Sequence, residues 1–394
     1  GETHVLMGPN GAGKSTMINY ISSLFKDKQK IFLANTNPAV ENLRRKVTAE
    51  HAEFVTITKF LSKDVSNDCD ILCLDECSTI SNRDMVRVLQ RAQCKLLVLV
   101  GDIYQIESIL FGNWFNIAYK VMPKDSVAEL TRPHRTTVQG LIEVWNKVRE
   151  ITEDRLEFIT RNGLSSTLDE SIFSRTEEDE IVLCLNYDGI YGINNINKFL
   201  QSNNVNPSIN WGVLSYKVGD PVLFNESNRF APLVYNNLKG KILQIEEEED
   251  CIYFTIEVYT VLNELDVIGF DLELKESVTD ETSVIRFKVG RGGDGNDDND
   301  NVENVVPFQV AYAISIHKAQ GLEYESVKVV ITSEIEEMVS HNIFYIAITR
   351  AKSKLKIYWS PETEKRILEN MKVQFNDKDY QLFKAKYKEA LLKS

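Results

Sequence analysis

The chain has 394 residues, 43% hydrophobic and 26% charged, which is the balance of a soluble globular protein and excludes a single ordinary core; two or three domains are expected. Its net charge of −13, from 45 Lys and Arg against 58 Asp and Glu, excludes nucleic-acid capture by a broadly basic surface but leaves a local track open. No apolar run is long enough to cross a bilayer, so no membrane partner is expected.

The first apolar strand, residues 4–7, begins almost at the first residue. That start predicts no signal peptide; it suggests a trimmed chain, with an upstream domain or a partner protein expected. Next comes Gly8-Pro9-Asn10-Gly11-Ala12-Gly13-Lys14-Ser15, a full match to G-x-x-x-x-G-K-[ST] that opens a helix over 14–25. The glycines let backbone N–H groups turn inward around phosphates, and the helix N-terminus adds its dipole. Gly8, Asn10, Gly11, Ala12, Gly13, Lys14, Ser15 and Thr16 are therefore expected around ATP, with Lys14 on the β- and γ-phosphates and Ser15 on Mg²⁺.

A strand at 30–34, a helix over 38–49 and a strand at 54–57 follow. The strand at 71–75 ends in adjacent acids: Asp75 fits the carboxylate that holds Mg²⁺ through water, and Glu76 the base that orients and deprotonates the attacking water. A strand at 96–101 then runs into Gly101-Asp102-Ile103-Tyr104-Gln105. Short apolar runs alternating with helices predict a parallel sheet with crossover helices, hence an α/β lobe over residues 1–130.

A second group of such runs, at 181–186, 310–314, 326–332 and 355–359, predicts a second α/β lobe from residues 131–204 and 306–375. Between its halves, 205–305 alternates in the manner of strands, as at 251–260 and 283–289, with turn signals at Gly219-Asp220, Asn236-Asn237 and Lys239-Gly240. This predicts a small β-barrel-like insertion with a Gly/Asp/Asn loop at 290–301, which lacks the register of a calcium loop. Residues 376–394 read as a C-terminal helix with a basic face. The six cysteines are spaced neither for zinc nor for a disulfide framework; buried free thiols in a reducing cytoplasm are expected.

The phosphate-loop wording also occurs in transport-type ATPase cassettes, but no LSGGQ-type signature follows here. What does follow resembles the superfamily 1 helicases along most of the chain. Gly101 to Gln105 is similar to motif III, Leu33-Ala34-Asn35-Thr36-Asn37-Pro38-Ala39-Val40 to motif Ia, and Thr56-Ile57-Thr58-Lys59-Phe60-Leu61 to motif Ib. Leu130-Thr131-Arg132-Pro133-His134-Arg135 resembles motif IV, Ser315-Ile316-His317-Lys318-Ala319-Gln320-Gly321-Leu322-Glu323 motif V, and Tyr345-Ile346-Ala347-Ile348-Thr349-Arg350-Ala351-Lys352 motif VI.

The resemblance implies two RecA-like lobes with ATP in the cleft and single-stranded nucleic acid across the top. It implies Gln105 as γ-phosphate sensor, Arg135 and Arg350 as arginine fingers, and Gly321 and Glu323 beside the nucleotide. Thr36, Asn37, Thr56, Ser315 and His317 are then the nucleic-acid contacts. Motif V worded H-K-A-Q-G after a β-rich insertion looks most like the RecD-like branch, which implies 5′-to-3′ movement on DNA. An RNA helicase of the same superfamily and a nucleotide-gated switch module are the alternatives. The gap between 61 and 71 is short and holds no strand-separating hairpin, so translocation or remodelling is expected over processive unwinding. Tyr104, His134, Tyr216 and Phe224 carry two readings, base stacking or core packing.

Overall fold

The computed structural model describes the chain apart from residues 1, 10, 63–66, 105–112, 132–135, 226–228, 232, 278, 292–303, 372–379, 383 and 387–394 and the Pro38 side chain. The expectations for Asn10, Gln105, His134 and Arg135, and for most of 290–301 and 376–394, lie outside the described residues. By backbone proximity the chain falls into two compact units. One comprises Gly1–Leu164, Glu336–Ser353 and Glu364–Ser394, the other Ser165–Ile335 and Lys354–Thr363. This division differs from the one expected from motif order in grouping 131–164 and 336–353 with the phosphate loop.

The first unit begins with β1 (Glu2–Met7), α1 (Lys14–Leu24), β2 (Lys30–Ala34), α2 (Asn37–Lys46), β3 (Ala52–Thr56), α3 (Ile57–Leu61) and β4 (Asp68–Leu74). It continues through α4 (Asn82–Arg91), β5 (Gln93–Gly101), α5 (Trp114–Val121), β6 (Val127–Glu129), α6 (Gln139–Arg149) and α7 (Arg155–Arg161). The six strands form one parallel sheet in the order β3-β2-β4-β5-β1-β6. They read as near-continuous apolar runs because both faces are covered. Leu33, Leu72, Leu74 and Leu99 pack into one core with Phe60 and Met85, and Phe32, Ile71, Cys73 and Val98 into another with Ile18, Val40 and Leu43.

β2 is buried along its whole length, Lys30 included; the Lys30 ammonium donates to the carbonyls of Lys26, Lys28 and Glu50, and burial holds it below the usual lysine range. β6 was not foreseen. Three residues carry no period, and only the pairing of Val5, Leu6 and Met7 with Val127, Ala128 and Glu129 makes them a strand.

The second unit holds β7 (Ser165–Ser166), β8 (Glu180–Cys184), α8 (Ile193–Ser202), β9 (Ser208–Trp211), β10 (Leu214–Lys217), β11 (Pro221–Phe224), β12 (Lys239–Glu247) and β13 (Cys251–Val258). Next come β14 (Glu273–Lys275), β15 (Ser283–Gly290), β16 (Phe308–Val310), β17 (Ala313–Ser315) and β18 (Tyr324–Val330). The chain then forms α9 (His341–Ile348), β19 (Ala351–Tyr358) and α10 (Pro361–Asn370). One sheet runs β17-β8-β18-β19-β7, with β17 and β18 both parallel to β8.

The insertion is an antiparallel sheet, β14-β15-β13-β12-β11-β16, with the hairpin β9-β10 packed into its core through Trp211 and Tyr216. Among the described residues its edge strands β14 and β16 do not pair with each other, so the described strands form a sheet without the closure that a barrel-like insertion would bring. Tyr216 and Phe224 lie in that core with Phe254, Phe287 and Phe308, which decides their two readings for packing.

The single strand expected over 310–314 is two. β16 ends at Val310 in the antiparallel sheet and β17 begins at Ala313 in the parallel one. Between them Tyr312 donates its hydroxyl to Asp220 Oδ1 at 2.8 Å. Asp220 has no exposed surface and also accepts from Gln201 Nε2, Asn204 Nδ2 and the Lys217 N–H, pinning α8, the β10–β11 turn and the crossing point together.

Among the described residues no helix is long and apolar enough to cross a membrane. All six cysteines are free.

Candidate active site

In a parallel sheet the loops that follow the strands emerge along one edge. Here β4, β5 and β1 are neighbours, so the acidic turn, the turn at Asp102 and the phosphate loop leave the sheet side by side. The Gly8 N–H donates to Gly101 O at 3.2 Å, extending the β1–β5 ladder into the loop. A Cβ on Gly8 would stand 2.6 Å from Leu130 O and 2.9 Å from Leu130 Cβ, so only glycine passes β6 there. Gly13, at φ 89°, turns the loop into α1 in a left-handed conformation that side chains resist. Lys14 Nζ donates to the carbonyls of Gly8 at 2.7 Å and Pro9 at 3.0 Å, which holds the ammonium inside the curl of the loop. Ser15 is half-buried and Thr16 exposed on the first turn of α1.

Asp75 closes β4: its N–H donates to Leu33 O at 2.8 Å, and its Oδ1 accepts the Glu76 N–H at 2.8 Å. Glu76 follows in the left-handed region, at φ 51° and ψ 40°, which a residue with a side chain adopts at a cost of about 1–2 kcal/mol. Its carbonyl accepts both the N–H and the hydroxyl of Thr79, each at 2.9 Å. Burial raises the Asp75 carboxyl above the usual carboxylate range. Burial first, and then the charge of Asp75, push Glu76 up to about 7, while Lys14, Arg350 and Lys46 pull it back.

Arg350 has no exposed surface; its Nε donates to Ile346 O at 2.9 Å and its Nη2 to Thr349 Oγ1 at 3.1 Å, so the turn after α9 positions it. α9 is held in the first unit by the Trp145 indole N–H on Ile348 O and by His341 Nε2 against Val148 O. The first unit thus brings together the phosphate loop, both acids and Arg350, within electrostatic reach of Glu76.

One carboxylate and one hydroxyl are hard oxygen donors of the kind Mg²⁺ takes, with phosphate and water completing its shell. Among the described residues no three His, Cys, Asp or Glu side chains are grouped to hold a metal by themselves.

Three residues expected on the nucleic-acid track share one device. Thr36 Oγ1 accepts the Ala39 N–H, Thr56 Oγ1 the Lys59 N–H, and Ser315 Oγ the Lys318 N–H, each three residues on and each at, or two residues past, the end of a parallel strand. Helix capping at Thr36 and Thr56, and a local turn bond at Ser315, account for a hydroxyl residue at each position. A capping oxygen nevertheless accepts and still has its own O–H to donate, which is what a phosphate needs. Thr36, two residues past the end of β2, and Thr56, the last residue of β3, follow neighbouring strands, with Asn37 exposed at the start of α2. Ser315, the exposed His317, Gly321 and Glu323 belong to the second unit, where the Glu323 carbonyl accepts Lys239 Nζ from β12.

Sequence reasoning missed two residues here. Asp102, fully buried, accepts the Tyr104 N–H on Oδ1 at 3.1 Å and so shapes the turn that leads to Gln105; an acid directly after a buried strand was its signal. Asn35 Nδ2 donates to Thr79 O at 3.1 Å, a partner that nothing local announces.

A family model described as an AAA domain matches residues 1–169, and one described as a UvrD-like helicase C-terminal domain matches residues 310–358. The ATP-dependent DNA helicase Pif1 of Campylobacter jejuni is 23% identical, over 90% of this chain and 88% of that protein. The RecD subunit of the RecBCD enzyme of Mycolicibacterium smegmatis is 22% identical over 77% of this chain, and an uncharacterized protein of Methanocaldococcus jannaschii 23% identical over 90%. The chain matches 52% of the length of that RecD and 36% of the archaeal protein.

Among solved structures, Pif1 helicase from Candida albicans superposes with a TM-score of 0.53 at 17% identity, covering 93% of this chain and 94% of that one. Pif1 from Bacteroides in complex with ADP-AlF3 and single-stranded DNA gives 0.52 at 17% identity, covering 91% and 89%. At such identities the likeness carries the fold, that of helicases with two RecA-like lobes. With the motifs in order, this fold and these relatives, the chain is similar to the superfamily 1 helicases of the branch that holds RecD and Pif1.

Proposed function

We propose that the chain is an ATP-driven nucleic-acid motor, a single-stranded-DNA-stimulated ATPase that acts as a 5′-to-3′ DNA helicase or translocase. The observation that carries this is the adjacency of the phosphate loop, Asp75-Glu76 and the buried Arg350 in one unit, at the same sheet edge as Thr36 and Thr56. DNA is favoured over RNA by the names of the relatives, and the direction by likeness to the RecD and Pif1 branch.

The loop of Gly8, Asn10, Gly11, Ala12 and Gly13 wraps the phosphates of ATP with backbone N–H groups beyond Gly8, with Lys14 on the β- and γ-phosphates and Ser15 and Thr16 at the start of α1. Ser15 and Asp75 hold Mg²⁺, which when bound neutralises charge on the β- and γ-oxygens. Glu76 takes the proton of the attacking water as its oxygen bonds to the γ-phosphorus and ADP leaves. Gln105 senses the γ-phosphate, Arg135 and Arg350 offset its developing charge, and Gly321 and Glu323 approach the nucleotide from motif V. The strand is gripped by Thr36, Asn37, Thr56, Ser315 and His317.

In this reading residues 1–130 form the nucleotide lobe and 131–204 with 306–375 the second, with 205–305 inserted and 376–394 a terminal helix. The six free cysteines suit the cytoplasm.

The test is steady-state ATP hydrolysis with and without single-stranded DNA, single-stranded RNA and duplex DNA. Stimulation by single-stranded DNA supports the motor, after which a tailed-duplex assay reads its direction. Stimulation by RNA alone transfers the reading to an RNA motor, and a rate indifferent to every nucleic acid refutes it.

A further inference from the structure

We propose that Asn35 is a positioning residue that passes occupancy of the strand track to Glu76; this rests on the reading of Thr36 as a strand contact and Glu76 as the base. Asn35 stands between Ala34, the last residue of β2, and Thr36, the cap of α2. Its Nδ2 reaches across to Thr79 O at 3.1 Å. Thr79 in turn donates its N–H and its hydroxyl to the Glu76 carbonyl. Two residues before Asn35, Leu33 O accepts the Asp75 N–H at 2.8 Å. The end of β2 therefore holds the acidic turn at both ends, Asp75 through the sheet ladder and Thr79 through the Asn35 amide.

Glu76 sits between these two ties in the left-handed region, a conformation that persists only while its surroundings hold it. On this reading the turn has a second basin, and the direction of the Glu76 carboxylate follows the basin its backbone occupies. A phosphate on the Thr36 hydroxyl steadies the Thr36–Asn35 segment, and with it the amide on Thr79. Strand binding then favours the basin in which the base is set. Asn35 is exposed, so water can replace its bond as far as folding is concerned. Its loss leaves the fold and the unstimulated rate, and removes the tie between them and the strand.

The experiment measures ATP hydrolysis with and without an oligo(dT) strand, and oligo(dT) affinity by anisotropy, for the unaltered chain, Asn35→Ala and Asn35→Asp. Asn35→Asp keeps the shape and cannot donate; Asn35→His keeps an N–H donor and serves as the rescue. The expected result is an unstimulated kcat and an oligo(dT) affinity within about twofold of the unaltered chain. The ratio of stimulated to unstimulated rate falls by about three- to tenfold in both donor-less variants, the factor one net hydrogen bond carries, and recovers in part with Asn35→His. An unchanged ratio overturns the proposal, as does a fall of both rates together, which marks Asn35 as a structural prop. If the unaltered chain is itself not stimulated, the underlying reading fails and the proposal with it, a result seen before any variant is made.

Discussion

Replacing Glu76 with Gln keeps the length and volume of the side chain and removes its capacity to take a proton. The backbone at Glu76 is held by the Asp75 carboxylate on its N–H and by Thr79 on its carbonyl, so its left-handed conformation does not depend on the side-chain charge. A carboxyl that burial and Asp75 have pushed up to about 7 is a charge the fold tolerates rather than uses, so Glu76→Gln should unfold no earlier than the unaltered chain. General base catalysis contributes ~10²–10⁴ in rate, and the stimulated kcat should fall by that factor. Expressed as a barrier, the loss is ~3–5 kcal/mol. Lys14 and the loop N–H groups are untouched, so ATP affinity, read with a fluorescent nucleotide analogue, and strand affinity should both be retained. A coupled steady-state ATPase assay measures the rate. A loss of less than about tenfold would refute the assignment of Glu76 as the base. A parallel loss of ATP affinity would show instead that the carboxylate supports the loop.

Other consequences can be read from single positions. Gly8→Ala places a methyl 2.6 Å from Leu130 O while the Leu130 N–H is bonded to Met7 O at 2.7 Å, so β6 must part from β1. A loss of about 1–3 kcal/mol and weaker ATP binding are expected, and thermal melts with and without ATP that match the unaltered chain would count against this close approach. Asp220→Ala strands the Tyr312 hydroxyl, the Gln201 and Asn204 amides and the Lys217 N–H. Urea unfolding should show the second unit weakened by roughly 3 kcal/mol or more, whereas a change under about 1 kcal/mol would mean that water satisfies these donors. Burial holds the His341 ring below its ordinary value of 6.5, so the unfolded chain binds the extra proton first as the pH falls. The His341 contribution to stability should therefore drop from about pH 6.5 downward, level off below the folded value and be flat above neutrality, against an opposite slope from Glu76; the difference between the unaltered chain and His341→Asn isolates it, and identical pH profiles for the two would assign the slope to other groups.

Much of the site was legible because its signals are local. The phosphate loop needs glycines, a lysine and a hydroxyl at fixed spacing, and an acid pair at the end of an apolar run marks itself. The strands around them were found to within a few residues, since a buried parallel strand must be apolar on both faces: β2 was expected over 30–34 and is Lys30–Ala34. What only the tertiary structure decided depends on partners far away in the chain. β6 is a strand because β1 lies beside it, and Gly8 is a glycine because β6 then brings Leu130 against it. The run at 310–314 divides because two sheets each claim an end, with Asp220, 92 residues away from Tyr312, fixing the crossing. Sequence order gives no sign that Asn35 bonds Thr79, 44 residues on, nor that Arg350 shares a unit with Glu76. Spacing encodes the conformation of a segment because neighbouring residues share one backbone. Pairing and burial are settled by the free energy of the whole packed chain, which no single window of residues contains.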